Sequence, residues 1–196
     1  MTKAERTRQF IVKKTAAIFN EKGYAGTSLS DLINVTGLSK GCIYGNFKNK
    51  DEIALAAFDF NKDRLSAYFE NKISKIENSV ERLLVYPKVL RNFLIIPIWK
   101  GGCPILNTST EADDTHPLLK KKAASALSSW QDRIAVEIKR GIERKEIKAD
   151  THAMEVAVVM VLLIESAVMQ TKVSESTSEL NIAMGFLEKL IRNLEA

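Results

Sequence analysis

Cysteine, histidine and proline are scarce in this chain: two Cys, two His and four Pro among 196 residues. Cys42 and Cys103 lie far apart with no third thiol and no HxxxH pair nearby, so neither a disulfide scaffold nor a metal site is expected. No cofactor signature is present either, since the nine glycines form no phosphate-cradling run. An uninterrupted apolar run of about 18 residues, the length a membrane span needs, is missing. The start, Met1-Thr2-Lys3-Ala4-Glu5-Arg6, has no apolar signal-peptide core. A cytoplasmic protein without a membrane partner is the expectation. The most apolar segment, Ala153–Met169, is interrupted by Glu155 and Glu165 and reads as a helix buried against protein. Period-two alternation is also lacking over any useful length, which leaves an all-α fold.

What remains is 45% hydrophobic and 27% charged, enough for one good core or two small ones. The net charge of +5 is lopsided. Residues 1–50 hold nine Lys and Arg against three acids, so the rest of the chain is slightly acidic. A surplus gathered at one end makes a local positive field that attracts a polyanion.

Helical periodicity and punctuation divide the chain. Ile11, Val12, Thr15, Ile18 and Phe19 make one stripe on a first helix from Lys3 to Lys22, with Gly23 as its cap. Ser28 with Asp31 three residues on resembles a capping box for a second helix, and Gly37 makes the turn after it. Ser39 opens a short third helix whose Ile43 and Phe47, four apart, point together into a small core. Asn49 caps a fourth helix reaching about Lys75. Further helices are expected over Ser79–Ile96, Pro104–Ala112, His116–Arg144, Asp150–Lys172 and Thr177–Leu194.

Two short helices around a glycine turn, ending in a basic run, form the pattern of a helix-turn-helix whose second helix lies in a DNA major groove. The residue types suit that use. Gly41 has no side chain to hold the backbone away from DNA, and Lys40 can neutralise a phosphate or reach a guanine edge. Tyr44 can donate to a phosphate or touch a thymine methyl, and Asn46 can pair with adenine. Lys50 and the unpaired N–H groups near Thr27 and Ser28 suit phosphates. Ser39, Cys42 and Lys48 complete the candidate surface.

Gly23-Tyr24, Thr27-Ser28, Gly37-Leu38-Ser39-Lys40-Gly41 and Tyr44-Gly45-Asn46-Phe47-Lys48-Asn49-Lys50-Asp51-Glu52 together resemble the N-terminal domain of TetR/AcrR-type repressors, over about the first 60 residues. Two positions depart from the family pattern. Cys42 stands where threonine or serine is usual, and Gly45 where an aromatic residue or histidine is usual. The resemblance implies an all-helical homodimer. Residues 1–50 would be the three-helix DNA-binding domain, and residues 51–196 a helical domain for effector binding and dimerisation. A ligand in the second domain would move two DNA-reading domains apart.

The last two expected helices are apolar on more than one face, through Val156, Val159, Met160, Leu163 and Ile164, then Leu180, Ile182, Phe186, Leu187 and Leu190. A two-fold four-helix bundle would cover the surplus face. Such a dimer would offer two recognition helices to a palindromic operator on double-stranded DNA. Candidates for an effector pocket are Tyr86, Phe93, Trp99, Trp130, Met154 and Met169, which suit an apolar small molecule whose identity the residues leave open. Cys103 precedes Pro104 at a helix start. It is either a small residue packed at a tight turn or a thiol activated by unpaired N–H groups to sense electrophiles or oxidants.

Two other classes compete with a regulator. A helical protein-interaction module would carry the same fold without DNA binding. An enzyme would need more than Asp113, Asp114 and His116, a cluster read as a solvated loop with no nucleophile elbow, so no catalytic residue is assigned.

Overall fold

Thr2 and Glu5 start the first helix by reciprocal bonds. The Glu5 N–H donates to Thr2 Oγ1 at 3.2 Å and the Thr2 N–H to Glu5 Oε2 at 2.7 Å. In the computed structural model, which describes residues 1–196 except for the side chain of Trp99, this helix α1 covers Lys3–Gly26. Gly23 does not end it, as the sequence suggested, but kinks it with φ 75° and ψ 178°. The kink frees the N–H groups of Tyr24 and Ala25, which donate to Glu111 Oε2 and Oε1 at 2.7 and 2.8 Å. The Gly23 carbonyl accepts from the Thr27 hydroxyl at 2.6 Å. Only glycine fits there, because a Cβ would need a left-handed backbone and would run into the Glu111 carboxylate.

Helix α2, Leu29–Thr36, starts with the expected Ser28–Asp31 box and ends at Gly37 with φ 68°. Helix α3, Lys40–Tyr44, is capped by Ser39. Helix α4 is Lys50–Ile73, and Asn49 Oδ1 accepts the Glu52 N–H at 2.9 Å at its start.

The helix expected over Ser79–Ile96 is instead two short ones, α5 (Ser79–Leu83) and α6 (Val85–Leu90), followed by 3₁₀ turns at Phe93–Ile95 and Pro97–Trp99. Pro87 has no N–H for the Leu83 carbonyl and its ring crowds that turn, so the helix breaks at Leu84. Helices α7 (Pro104–Ala112), α8 (Pro117–Glu143), α9 (Ala153–Ser174) and α10 (Ser178–Arg192) follow close to expectation. Among the described residues there is no strand, only an isolated bridge between Ile147 and Glu195.

The chain forms two compact units that are not contiguous in sequence. Residues 1–65 and 100–124 make the first, residues 66–99 and 125–196 the second. In the first unit Ile11, Leu32, Ile43, Phe47 and Ile53 form a sealed core, and α1 packs on α2 and α7. In the second, α10 packs on α9, α5 and α6. Met160, Ile164 and Val168 of α9 are buried there with Leu180, Met184, Leu187 and Ile191 of α10. Helix α9 is long and apolar enough to cross a membrane by length and composition, with a mean hydropathy of 1.8 over its best window, yet 44% of that window is buried inside the protein.

Candidate nucleic-acid interface

Helix α3 is only five residues long, so its position depends on anchoring. Ile43 and Phe47, at 0% and 2% exposure, supply the anchor in the first unit's core. Ser39 Oγ accepts the Cys42 N–H at 3.2 Å at one end, and the Phe47 N–H donates to the Ile43 carbonyl at 3.1 Å at the other. The opposite face carries Ser39, Lys40 and Gly41, all exposed, with Cys42 half-buried. No heavy atom lies within 4 Å of where a Gly41 Cβ would be, so nothing inside the protein requires glycine there. Among the described residues, Lys40 and Lys48 have no carboxylate within salt-bridge distance, although the Lys48 charge helps lower the Glu52 pKa. Their charge is available to an outside anion.

A clamp behind this face was not visible from sequence. The Arg8 guanidinium donates to the Asn46 carbonyl and to Glu52 Oε1, each at 2.6 Å, and lies 4.0 Å from the centre of the Phe47 ring. Glu52 Oε2 accepts the Lys48 N–H at 2.7 Å. That backbone bond, followed by the Arg8 bond, holds the Glu52 carboxyl below its ordinary pKa. Helices α1 and α4 thereby fix residues 46–48. Arg8 and Glu52 stand 44 positions apart, and no local pattern links them.

Several candidate residues sit differently from the simple expectation of an exposed reading surface. Thr27 is wholly buried, its hydroxyl committed to Gly23, so it supports the surface from behind. Ser28 is exposed, but its hydroxyl donates to Asp31 Oδ2 at 2.8 Å and its N–H donates there at 2.9 Å. Asp31 also accepts from Lys22 Nζ at 2.8 Å, and these contacts, the lysine's first, bring its pKa down to about 2. Tyr44 is half-buried and packs on the core cluster. Asn46 Nδ2 donates to the Cys42 carbonyl at 2.9 Å, leaving one amide hydrogen and Oδ1 for an outside partner.

Lys50 Nζ lies 4.3 Å from the centre of the Tyr24 ring. The Tyr24 hydroxyl donates to Asp51, and this bond, with burial and the carboxylate's charge, pushes its pKa up to about 12. His116 meets Tyr24 edge-on at 4.7 Å between ring centres, with Nε2 at 3.9 Å from Asp51 Oδ1. Its Nδ1 accepts the Leu119 N–H at 3.3 Å at the start of α8. The polar loop of Asp113, Asp114 and His116 is therefore not uniformly solvated: the two acids are exposed, the histidine is buried.

Of the pocket candidates, Tyr86 and Trp130 come together. Tyr86 lies 4.8 Å from Phe69 and 6.3 Å from Trp130 by ring centres, so these aromatics fill one another's space in the second unit. Phe93 is 1% exposed, Met154 and Met169 are each 45% exposed on α9, and the Trp99 side chain lies outside the described residues. Cys103, in the first unit, does stand at the N-cap of α7 ahead of Pro104, but it is 1% exposed and forms no disulfide.

Comparison with known proteins finds two family models on the chain. Residues 11–57 match "Bacterial regulatory proteins, tetR family" and residues 79–187 match "Tetracyclin repressor-like, C-terminal domain". The crystal structure of a TetR-family transcriptional regulator from Cytophaga hutchinsonii is 42% identical, covering 100% of this chain and 98% of that one, with a TM-score of 0.96. A TetR transcriptional regulator from Chloroflexus aurantiacus J-10-FL is 35% identical over 100% of this chain and 98% of that one, with a TM-score of 0.92. The HTH-type transcriptional repressor ComR of Escherichia coli K12 is 29% identical over 139 residues, 68% of this chain and 66% of that protein.

Proposed function

Because this chain belongs to the TetR family of DNA-binding transcriptional regulators, we propose that it is a cytoplasmic repressor, released from a palindromic operator by a small apolar effector. The observation that carries the reading is the outward face of α3. There Lys40 and an unfilled Gly41 stand on a helix held from behind by Ile43 and Phe47. Lys40, Lys48 and Lys50 would neutralise phosphates and set register, and Asn46 would read a base edge, while the Ser28 N–H and hydroxyl stay bound to Asp31. Residues 1–50 would do the reading, and residues 51–196 the dimerisation and effector response.

Dimerisation is supported by what the second unit leaves uncovered. Val159, Leu162, Met169 and Val173 of α9 are exposed, as are Ile182 and Phe186 of α10, while the opposite sides of both helices are packed. A second copy would cover this stripe in a four-helix arrangement. It would set two α3 helices about 34 Å apart, one turn of duplex. Members of the family are regulators and not enzymes, and no catalytic role is proposed here. The burial of Cys103 favours a non-covalent effector over an electrophile that attacks its sulfur.

The test is selection of binding sites from random duplexes, followed by titration against salt. The selected site should be palindromic, and log K should fall with log salt at about 0.9 per phosphate neutralised, several phosphates in all. A protein with no duplex affinity even in dilute buffer would refute the proposal and leave the helical interaction module as the better reading.

A further inference from the structure

The second unit contains a groove of about 640 Å³ where the end of α4 faces α6 and the chain after it, away from the aromatic cluster of Tyr86 and Trp130. That size falls within the roughly 300–1,000 Å³ of small-molecule sites. Its floor is apolar: Val85 and Val89 are buried, and Ile76 and Ile96 are partly so. Beside the neutral Tyr68, Asn71 and Asn92, its charged lining is of one sign. Lys72, Lys75 and Lys88 border it and no aspartate or glutamate does.

Lys72 lies in the last turn of α4 and Lys75 in the turn just beyond its end at Ile73, both exposed. Lys72 rests 5.1 Å from the centre of the Tyr68 ring. Lys88 donates to Glu81 Oε2 at 3.1 Å, but Glu81 is shared, since its other oxygen lies 2.6 Å from Arg192. Lys88 is thus partly answered by Glu81, while Lys72 and Lys75 face the apolar hollow with no ion-pair partner among the described residues. An uncharged apolar ligand would leave that field unanswered, and a cationic one would be repelled.

From this we infer that the groove binds an amphipathic carboxylate, its apolar body on Val85, Val89, Ile76 and Ile96 and its charge against Lys72 and Lys75. This rests on the ligand-responsive reading and gives the effector a chemical class and a place.

Decanoate is a suitable probe, with decan-1-ol and decyltrimethylammonium as neutral and cationic counterparts, each titrated calorimetrically into the full chain. Decanoate binds, the cation does not, and Lys72→Glu with Lys75→Glu weakens decanoate at least about tenfold, the value of one charge-assisted contact. Decan-1-ol, which senses only the floor, is unaffected by the double variant. Absence of decanoate binding overturns the inference, as does binding that the double variant leaves unchanged while Tm falls. That second result would mean the lysines only cap α4. Duplex binding measured in parallel keeps the two readings apart. Decanoate binding without any DNA affinity supports the groove and refutes only the regulator. DNA release by neutral apolar compounds with no decanoate binding refutes only the groove.

Discussion

Replacing Gly41 by alanine separates a residue kept for the fold from one kept for a partner. Inside the protein the change is benign, because the new Cβ meets no heavy atom within 4 Å and the residue already sits within helix α3. Alanine is favoured over glycine in a helix by up to about 1 kcal/mol. For a chain of this size that gain raises Tm by about 2–4 °C. Against DNA the sign reverses. The methyl group projects from the face where Lys40 and the Ser39 cap stand exposed, and it would hold the helix off the groove by most of a carbon radius. Loosening the contacts around one position costs about 1–3 kcal/mol, which is about 5- to 150-fold in affinity. The assay pairs thermal unfolding with fluorescence anisotropy on a labelled duplex carrying the selected site. A variant that is as stable as the parent and binds equally tightly would show that α3 does not approach DNA through this face. A large loss of Tm would show that the backbone argument is wrong.

Two further outcomes follow from the same geometry. Ile182→Glu with Phe186→Glu places charge on the exposed stripe of α10, where the side chains are 71% and 58% exposed in the single chain. Sedimentation velocity should therefore find a folded monomer with weakened duplex binding, and a dimer that survives would move the interface elsewhere. Asp31, with a folded pKa of about 2 against an ordinary 3.8, stabilises the fold while ionised. That contribution is complete above about pH 4 and disappears as pH falls towards 2. Asp31→Asn should flatten this part of the acid limb in urea unfolding followed from pH 6 to 2, and an unchanged limb would assign acid sensitivity to other carboxylates.

What could be read in advance follows the range of the interaction. The Ser28–Asp31 box, the left-handed Gly37, the Ser39 and Asn49 caps and Pro104 at a helix start are each settled within three or four residues, so these helices were legible one by one. The break at Leu84 was equally local, since Pro87 states it, and periodicity alone had hidden it. The Arg8–Glu52 clamp and the Glu111 carboxylate that satisfies the kink at Gly23 join positions 44 and 87 apart. No window of sequence contains both members of either pair.

The sensor half shows the same limit in a sharper form. An aromatic or methionine at helical spacing looks identical in sequence whether it faces a neighbour, a ligand or solvent. The tertiary arrangement sends Tyr86 and Trp130 to each other and leaves Met154 and Met169 on the outside. Charge is more informative than apolarity here. A buried apolar residue can always be packed by another, whereas Lys72 and Lys75, beside a hollow with no lining carboxylate and without an ion-pair partner among the described residues, favour a ligand that brings its own negative charge. The basic border of the groove between α4 and α6 therefore constrains the proposed ligand more tightly than any list of apolar side chains. Its constraint is one of sign, which a single pair of probes differing only in charge can test.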